Sequence, residues 1–405
     1  MTLLQDARIV LAVSGGIAAY KAADLASKLT QAGAAVETIL TRSAQEFVRP
    51  LTFSALTRRP VHADPFEAWT EVAAGHITLA HEADVLLIAP ATANTIARLA
   101  LGLADDFLGM VALATTAPLT IAPAMEHQMY LHPATQAHVA TLRERGATFV
   151  GPDSGHLASG EIGTGRFAPT EDILGALRMV IGRNGPLAGR RVVVTAGGTH
   201  EPLDPVRFLG NRSSGKMGYA LAQSALDRGA TVTLITGPTS LRPPYGARVT
   251  RVETARSMSR AVHEATDEAD ILVMAAAVSD FRPATTFQEK LKKEAHGDGM
   301  TIVLDRNPDI VAGITRPGLV KIGFAAETQC LVDHALGKLA AKGLAMIVAN
   351  DAVATIGSDE STAILLYANG QSEALPPLPK NDLAGIILDR AADLHSRSPV
   401  DRSET

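Results

Sequence analysis

Short, almost wholly apolar runs rich in β-branched residues recur along the chain, and stretches with helical spacing separate them. In the first half these runs are residues 9–13, 36–40, 85–89, 119–122 and 148–150, with helical spacing over 21–32 and 94–101. A strand that is apolar at every position has no wet face, so both faces of its sheet must be covered. Alternation with helices then predicts a parallel sheet wrapped on two sides. The pattern restarts over 191–195, 231–236, 271–275, 321–324 and 346–349. The expected fold class is therefore α/β. It should comprise two modules, each a parallel-sheet, Rossmann-like layer structure with helices on both faces, the first flavodoxin-like.

A length of 405 residues suits two such modules. Between them, residues 151–165 hold five glycines in fifteen positions, which predicts a loop or flap (151–168) rather than a helix or strand. A helix capped by Thr170 should follow and end at Asn184-Gly185-Pro186, placing the boundary at 185: module one is 1–185, module two 186–405. The net charge of -5 argues against a nucleic-acid partner. The single cysteine, Cys330, excludes an internal disulfide, suits a reducing compartment and reads as a small core residue. Residues 107–125 carry no charge and approach membrane-spanning length, but Gly109, Pro118 and Pro123 interrupt them. A buried helix and a buried strand are expected there, with no membrane partner. With no basic-then-apolar leader at the N-terminus, the expected location is cytoplasmic.

After the first apolar run comes Ser14-Gly15-Gly16-Ile17-Ala18-Ala19-Tyr20-Lys21. A small-residue turn from a parallel strand into a helix presents backbone N–H groups at the positive helix end, which suits phosphate. It is not the dinucleotide fingerprint, because no third glycine follows. Thr41-Arg42-Ser43 follows the second run, and Thr92 and Asn94 follow the third. Ligands in open α/β sheets sit beyond the carboxyl ends of strands, so these polar ends define one pocket, although Thr92 and Asn94 also suit simple helix capping.

Together with Gly75-His76-Ile77 and Pro123-Ala124-Met125-Glu126, these segments resemble, in order and spacing, the flavin-dependent cysteine decarboxylases. The nearest resemblance is to the bifunctional phosphopantothenoylcysteine decarboxylase/phosphopantothenate–cysteine ligase of coenzyme A synthesis. The resemblance implies an FMN site at a trimer interface, held by Ser14, Gly15, Gly16, Ile17, Thr41, Ser43, Thr92, Asn94 and Met125, with His76 as catalytic base. A histidine exchanges protons near neutrality. Two positions depart from the family. Glu126 stands where asparagine often holds the substrate carboxylate, so it must be protonated, turned away or differently paired. Ser159 stands where a cysteine serves the reducing step, and His156 or water is the substitute donor.

The second module opens with Thr195-Ala196-Gly197-Gly198-Thr199-His200-Glu201-Pro202-Leu203-Asp204. Residues 210–216 fit the G-x-x-x-x-G-K pattern, but Met217 replaces the magnesium-holding Ser/Thr and no strong strand precedes it. The expectation is a loop capped by Ser213 or Ser214, leading into a helix over 219–228. Asp280 ends a buried strand, Lys290, Lys292 and Lys293 form a basic cluster, Asn307-Pro308-Asp309 precedes an expected helix, and Lys338 and Lys342 share a helical face.

These segments resemble the ligase half of the same family. The resemblance implies 4′-phosphopantothenate, cysteine and CTP as substrates. CTP would lie among Ala275, Ala276, Asp280, Lys290, Pro308, Asp309, Ile310, Val311, Phe324, Lys338 and Lys342. Asn211 would stabilise the acyl-cytidylate step, Lys290 would neutralise transition-state charge, and Asp280 would help hold Mg2+. A homo-oligomer is implied, with trimeric contacts in the first half and dimeric contacts in the second. The rival readings are a ligase with a vestigial flavin domain, a flavin-binding regulatory subunit and a nicotinamide oxidoreductase.

Overall fold

The computed structural model describes residues 3–63, 75–292, 299–327, 331–351 and 358–397. Cys330 and Lys293 lie outside the described residues, so the core reading of Cys330 has no counterpart here. The chain divides into two compact units, Met1–Gly182 and Arg183–Thr405.

In the first unit, strands β1 (Arg8–Val13), β2 (Ala35–Leu40), β3 (Val61–His62), β4 (Val85–Ala91), β5 (Leu119–Pro123) and β6 (Thr148–Phe149) pair in parallel, ordered β3-β2-β1-β4-β5-β6. Setting aside the two-residue β3, the remaining order is the 2-1-3-4-5 of flavodoxin-like sheets. Helices α1 (Lys21–Gln31), α2 (Pro50–Thr57), α3 (Gly75–Glu82), α4 (Ala93–Leu101), α5 (Phe107–Ala114), α6 (His127–Leu131), α7 (Pro133–Glu144) and α8 (Thr170–Gly182) link and flank these strands. Alternation along β1 shows why both faces need cover. Val10 and Ala12 pack with Ile96 of α4, Phe107 of α5 and Val139 of α7, while Ile9, Leu11 and Val13 are as deeply buried on the opposite face. The uncharged stretch is indeed a buried helix, α5, then a buried strand, β5. Among the described residues no helix is long and apolar enough to cross a membrane.

Two expectations fail near the unit boundary. The glycine-dense segment is an antiparallel hairpin, β7 (Asp153–His156) with β8 (Ile162–Arg166), not a bare loop. Its ladder opposes Gly155 to Gly163, so backbone pairing asks nothing of side chains there. Thr170 is the first residue of α8 rather than its cap, and its hydroxyl donates to Asp24 at 2.8 Å.

The second unit carries β9 (Arg191–Ala196), β10 (His200–Pro202), β11 (Phe208–Gly210), β12 (Thr231–Thr236), β13 (Arg248–Arg251), β14 (Ile271–Met274), β15 (Phe281–Pro283), β16 (Leu304–Arg306), β17 (Val320–Glu327), β18 (Met346–Asp351), β19 (Glu360–Tyr367) and β20 (Ser372–Pro379). Its main sheet runs β13-β12-β9-β14-β17-β18-β19-β20. The strands are parallel up to β18; β19 and β20 extend the edge antiparallel. Helices α10 (Ala255–Thr266) and α11 (Leu331–Ala341) pack Met258, Val262, Ala335 and Leu339 into one core cluster. Helices α9 (Lys216–Leu226) and α12 (Lys380–Ser396) pack against each other and bury Leu221, Ala222, Ile387 and Leu388. Two local expectations change here. Helix α9 begins at Lys216, three residues early, and no helix follows Asn307-Pro308-Asp309, where residues 310–313 form only a turn.

Candidate functional sites

In the first unit a cavity of about 930 Å³ opens beyond the carboxyl ends of β1, β2 and β4. Gly15, Thr41, Ser43, Thr92 and Asn94 line it; Ser14, Gly16, Ile17 and Met125 do not. Ser14 is buried and supports the wall from behind: its hydroxyl donates to Pro90 O at 2.8 Å and accepts from Thr92 N at 2.9 Å. That bond pair ties the end of β1 to the end of β4. A Cβ on Gly15 would lie 2.3 Å from Ser43 Cβ, so the two loops touch only because the side chain is missing. Thr92 also caps α4, accepting from Thr95 N at 3.3 Å, and Thr41 accepts from Ala44 N at 3.2 Å. Capping and pocket lining are thus one arrangement, not rival ones.

Sequence reasoning missed the far wall. Arg98, Asp105, Asp106 and Phe107 line the same cavity, with Arg98 paired to both aspartates. The one available signal was Asp106 before an apolar helix; its carboxylate accepts from Gly109 N at 2.8 Å as the cap of α5.

His76 lies in the first turn of α3, not in a free turn, and is half-buried. Its ring meets the edge of Phe107 at 6.4 Å between centroids and 84°, while His62 stacks on Phe107 at 5.1 Å. His76 therefore approaches the cavity across the Phe107 ring and does not itself line it. Glu37 lies 3.4 Å from His62 Nε2, and this bond, joined by Arg59 at 2.7 Å, holds the Glu37 carboxyl below its ordinary range against burial.

Glu126 is differently paired, the third of the alternatives open to it. As cap of α6 its carboxylate accepts from Gln128 N at 2.7 Å and Met129 N at 3.2 Å. Its second oxygen is buried with no partner among the described residues. Met125 faces the hairpin: its N–H donates to Gly165 O at 3.0 Å, and a Cβ on Gly165 would lie 2.2 Å from Met125 O. Ser159 and His156 are both exposed, Ser159 at the hairpin tip, where it accepts from Glu161 N at 3.5 Å.

The second unit holds a cavity of about 900 Å³. It is lined by Asn211, by Ala275, Ala276 and Asp280 after β14, and by Pro308, Asp309, Ile310 and Val311. Phe324 of β17 and the lysines Lys338 and Lys342 complete this wall. The loop after β14 is pinned from several sides. Thr195 and Thr199 hydroxyls accept from Ala276 N (3.1 Å) and Ser279 N (3.0 Å), Asn211 Nδ2 donates to Ala277 O (3.2 Å), and Asn307 Nδ2 donates to Ser279 O (2.9 Å). Asp309 pairs with Lys342 at 3.0 Å; although burial pushes its carboxyl up, that bond and the turn amides hold it below the ordinary range.

Lys290 is the exception: it is exposed and does not line the cavity. Its neighbour Leu291 donates N–H to Asp204 Oδ2 at 3.2 Å, and Asp204 is buried. Burial pushes the Asp204 carboxyl up, but the N–H groups of Val206, Arg207 and Leu291 outweigh it and leave it low. Asp204 is thus an anchor for the segment carrying Lys290. The decoy G-x-x-x-x-G-K does follow a strand, β11, but this is a hairpin arm paired with β10 and not part of the main sheet. Ser213 and Ser214 do accept from Gly215 N and Lys216 N, at 3.4 and 3.5 Å. Lys216, which ends that G-x-x-x-x-G-K pattern, and Asn350, Ser361 and Lys380 also line the cavity, although the sequence reading assigned none of them to it. Among the described residues no three His, Cys, Asp or Glu side chains gather to hold a metal.

Residues 2–182 match the family described as Flavoprotein, and residues 187–394 match the DNA/pantothenate metabolism flavoprotein C-terminal domain. The Coenzyme A biosynthesis bifunctional protein CoaBC of Bacillus subtilis (strain 168) is 45% identical over 404 residues, covering 98% of this chain and 99% of its own. The protein of the same name from Escherichia coli (strain K12) is 43% identical over 398 residues, covering 95% and 96%. That of Mycobacterium bovis (strain ATCC BAA-935 / AF2122/97) is 44% identical over 405 residues, covering 94% and 95%.

Proposed function

The chain belongs to the family of coenzyme A biosynthesis bifunctional proteins, and we propose that it carries two successive steps of that synthesis. The second unit joins 4′-phosphopantothenate to cysteine using CTP, and the first decarboxylates the product to 4′-phosphopantetheine. The observation that carries this reading is the pair of separate cavities, each beyond parallel strand ends, in a chain its bifunctional relatives match along its length.

In the ligase cavity the acid's carboxylate attacks CTP to form an acyl-cytidylate and pyrophosphate; the cysteine amine then displaces CMP. Lys338 and Lys342 face the triphosphate, since a lysine–phosphate pair at 4 Å gives about 4 kcal/mol at an effective dielectric of 20. Asn211 holds the acyl-cytidylate oxygen, and Lys290 supplies charge from the segment anchored by Asp204. Asp280, which lines this cavity, would be the protein partner of a Mg2+ that would neutralise triphosphate charge.

In the first cavity, the Gly15 turn and the loops bearing Thr41, Ser43, Thr92 and Asn94 fit FMN: the missing Cβ lets the Ser43 loop close against the turn, and turn amides at a helix start suit a phosphate. Bound there, FMN supplies a two-electron oxidation of the substrate thiol to a thioaldehyde, which makes loss of carbon dioxide feasible, and the later return to the saturated thiol. His76, with its ring against the Phe107 edge, would be the base that takes the thiol proton released in that oxidation. The hairpin carrying His156 and Ser159 covers this step. Exposed Ile17, Leu101, Leu113 and Ile162 suit trimer contacts, and exposed Phe208, Phe281 and Val303 suit a dimer.

The second reading is a ligase whose flavin unit has lost decarboxylation, favoured by Glu126 and Ser159. The full chain incubated with phosphopantothenate, cysteine and CTP decides by product mass. Phosphopantetheine supports both steps, phosphopantothenoylcysteine alone supports the second reading, and neither product refutes both.

A further inference from the structure

Lys321 lies near the start of β17, and its ammonium donates to two backbone carbonyls at 2.8 Å each, Ile314 O and Lys342 O. The first lies just beyond the turn that leads on from Asp309; the second is the residue after α11. The circuit closes at its other end. Asp309 Oδ2 pairs with the Lys342 ammonium at 3.0 Å, while Asp309 Oδ1 accepts from Val311 N and Ala312 N at 3.2 Å. Asp309 and Lys342 line the ligase cavity, and Lys321 does not. Burial pushes the Lys321 ammonium's pKa down, so keeping it charged there costs free energy that its carbonyl partners offset. A leucine or methionine would fill the space without that cost, but would leave both carbonyls unmet.

We propose that Lys321 is a positioning residue for nucleotide binding: it clamps the 309–314 segment to the end of the helix that carries Lys338 and stops just before Lys342, and so sets the spacing of two cavity walls. The proposal rests on the reading that CTP occupies this cavity. Lys321 acts through the walls and touches no substrate. Its loss therefore weakens CTP binding more than it slows chemistry once the site is full.

The test uses the full chain with Lys321→Met, which keeps the aliphatic stem, and Lys321→Arg, which keeps donors for two carbonyls. Lys321→Met should raise the KM for CTP about tenfold, with kcat within about twofold, and Lys321→Arg should recover most of the difference. Amides of residues 311–314 and 342–345 should exchange hydrogen faster in the methionine variant, with or without CTP. A folded Lys321→Met protein with wild-type KM overturns the proposal. So does a fall in kcat that only tracks lost folded protein and that arginine does not rescue. If wild-type chain ignores CTP, the reading of the cavity fails; the exchange rates then decide the clamp alone, unchanged rates overturning it.

Discussion

Gly15 shows how much a single missing carbon decides. Its neighbour loop sits at a distance no side chain tolerates, with Ser43 Cβ 2.3 Å from where a Cβ would stand. Gly15→Ala must push the two loops apart, at a cost of about 1–3 kcal/mol. We expect it to purify with little flavin and to melt earlier; flavin absorbance after gel filtration and a thermal unfolding curve measure both. Ser14 is the complementary case. Its hydroxyl serves Pro90 O and Thr92 N at once; Ser14→Ala strips Thr92 N of its acceptor and leaves Pro90 O only the Ser14 N–H at 3.2 Å, which should cost about 1–2 kcal/mol in urea unfolding. An unchanged denaturation midpoint would mean the hydroxyl is idle. The residue names in the turn were legible as the wall of a pocket beyond the strand ends. Which of them face the cavity and which hold it from behind was not, because both roles favour the same small polar residues.

At the scale of elements, the edge of the second sheet is held to its covering helix by charge. Glu373 on β20 accepts two bonds from Arg390 of α12, each 2.9 Å, and a third from the Tyr367 hydroxyl of β19 at 3.1 Å. The Arg390 bonds are the largest influence holding the Glu373 carboxyl below its ordinary 4.5, and burial with Glu373 pushes the Tyr367 phenol up to about 12. For a lowered carboxyl, the stabilisation is present above the unfolded value and is lost as pH falls through the folded one. Glu373→Gln should therefore destabilise the second unit at neutral pH. The gap from wild type should close as pH drops below 4.5. Denaturation at stepped pH tests this, and a gap that stays constant to low pH would contradict the sign. The sequence pattern stopped at 349 and did not foretell β19 and β20. Both are antiparallel; β20 is the exposed edge strand, its alternation diluted by polar and proline residues, while β19 opens on polar residues before its buried positions.

For the whole molecule, two compact units with separate cavities imply separable activities. His76→Asn should abolish carbon dioxide release from supplied phosphopantothenoylcysteine and leave CMP release at wild-type level. Lys290→Gln should do the reverse, with ligation reduced about a hundredfold or more if it stabilises transition-state charge. Loss of both activities in either variant, with folding intact, would contradict independent sites.

By itself the sequence determined the fold class, the twofold organisation and the family. The first two follow from the period and apolarity of strands and from turn chemistry, which are local properties of a chain, and the family from the resemblance carried by its ordered motifs. It also told where the cavity-lining turns lie, since those turns follow strands that could be read directly. Only the tertiary structure decided that Lys290 stands outside its cavity while Lys216 and Lys380 stand inside. Only it turned Glu126 into a helix cap, folded the glycine-rich segment into a hairpin, and set Phe107 between His62 and His76. The physical reason is that each depends on where residues far apart in sequence meet, and side-chain direction across such a meeting is fixed by packing, not by local spacing.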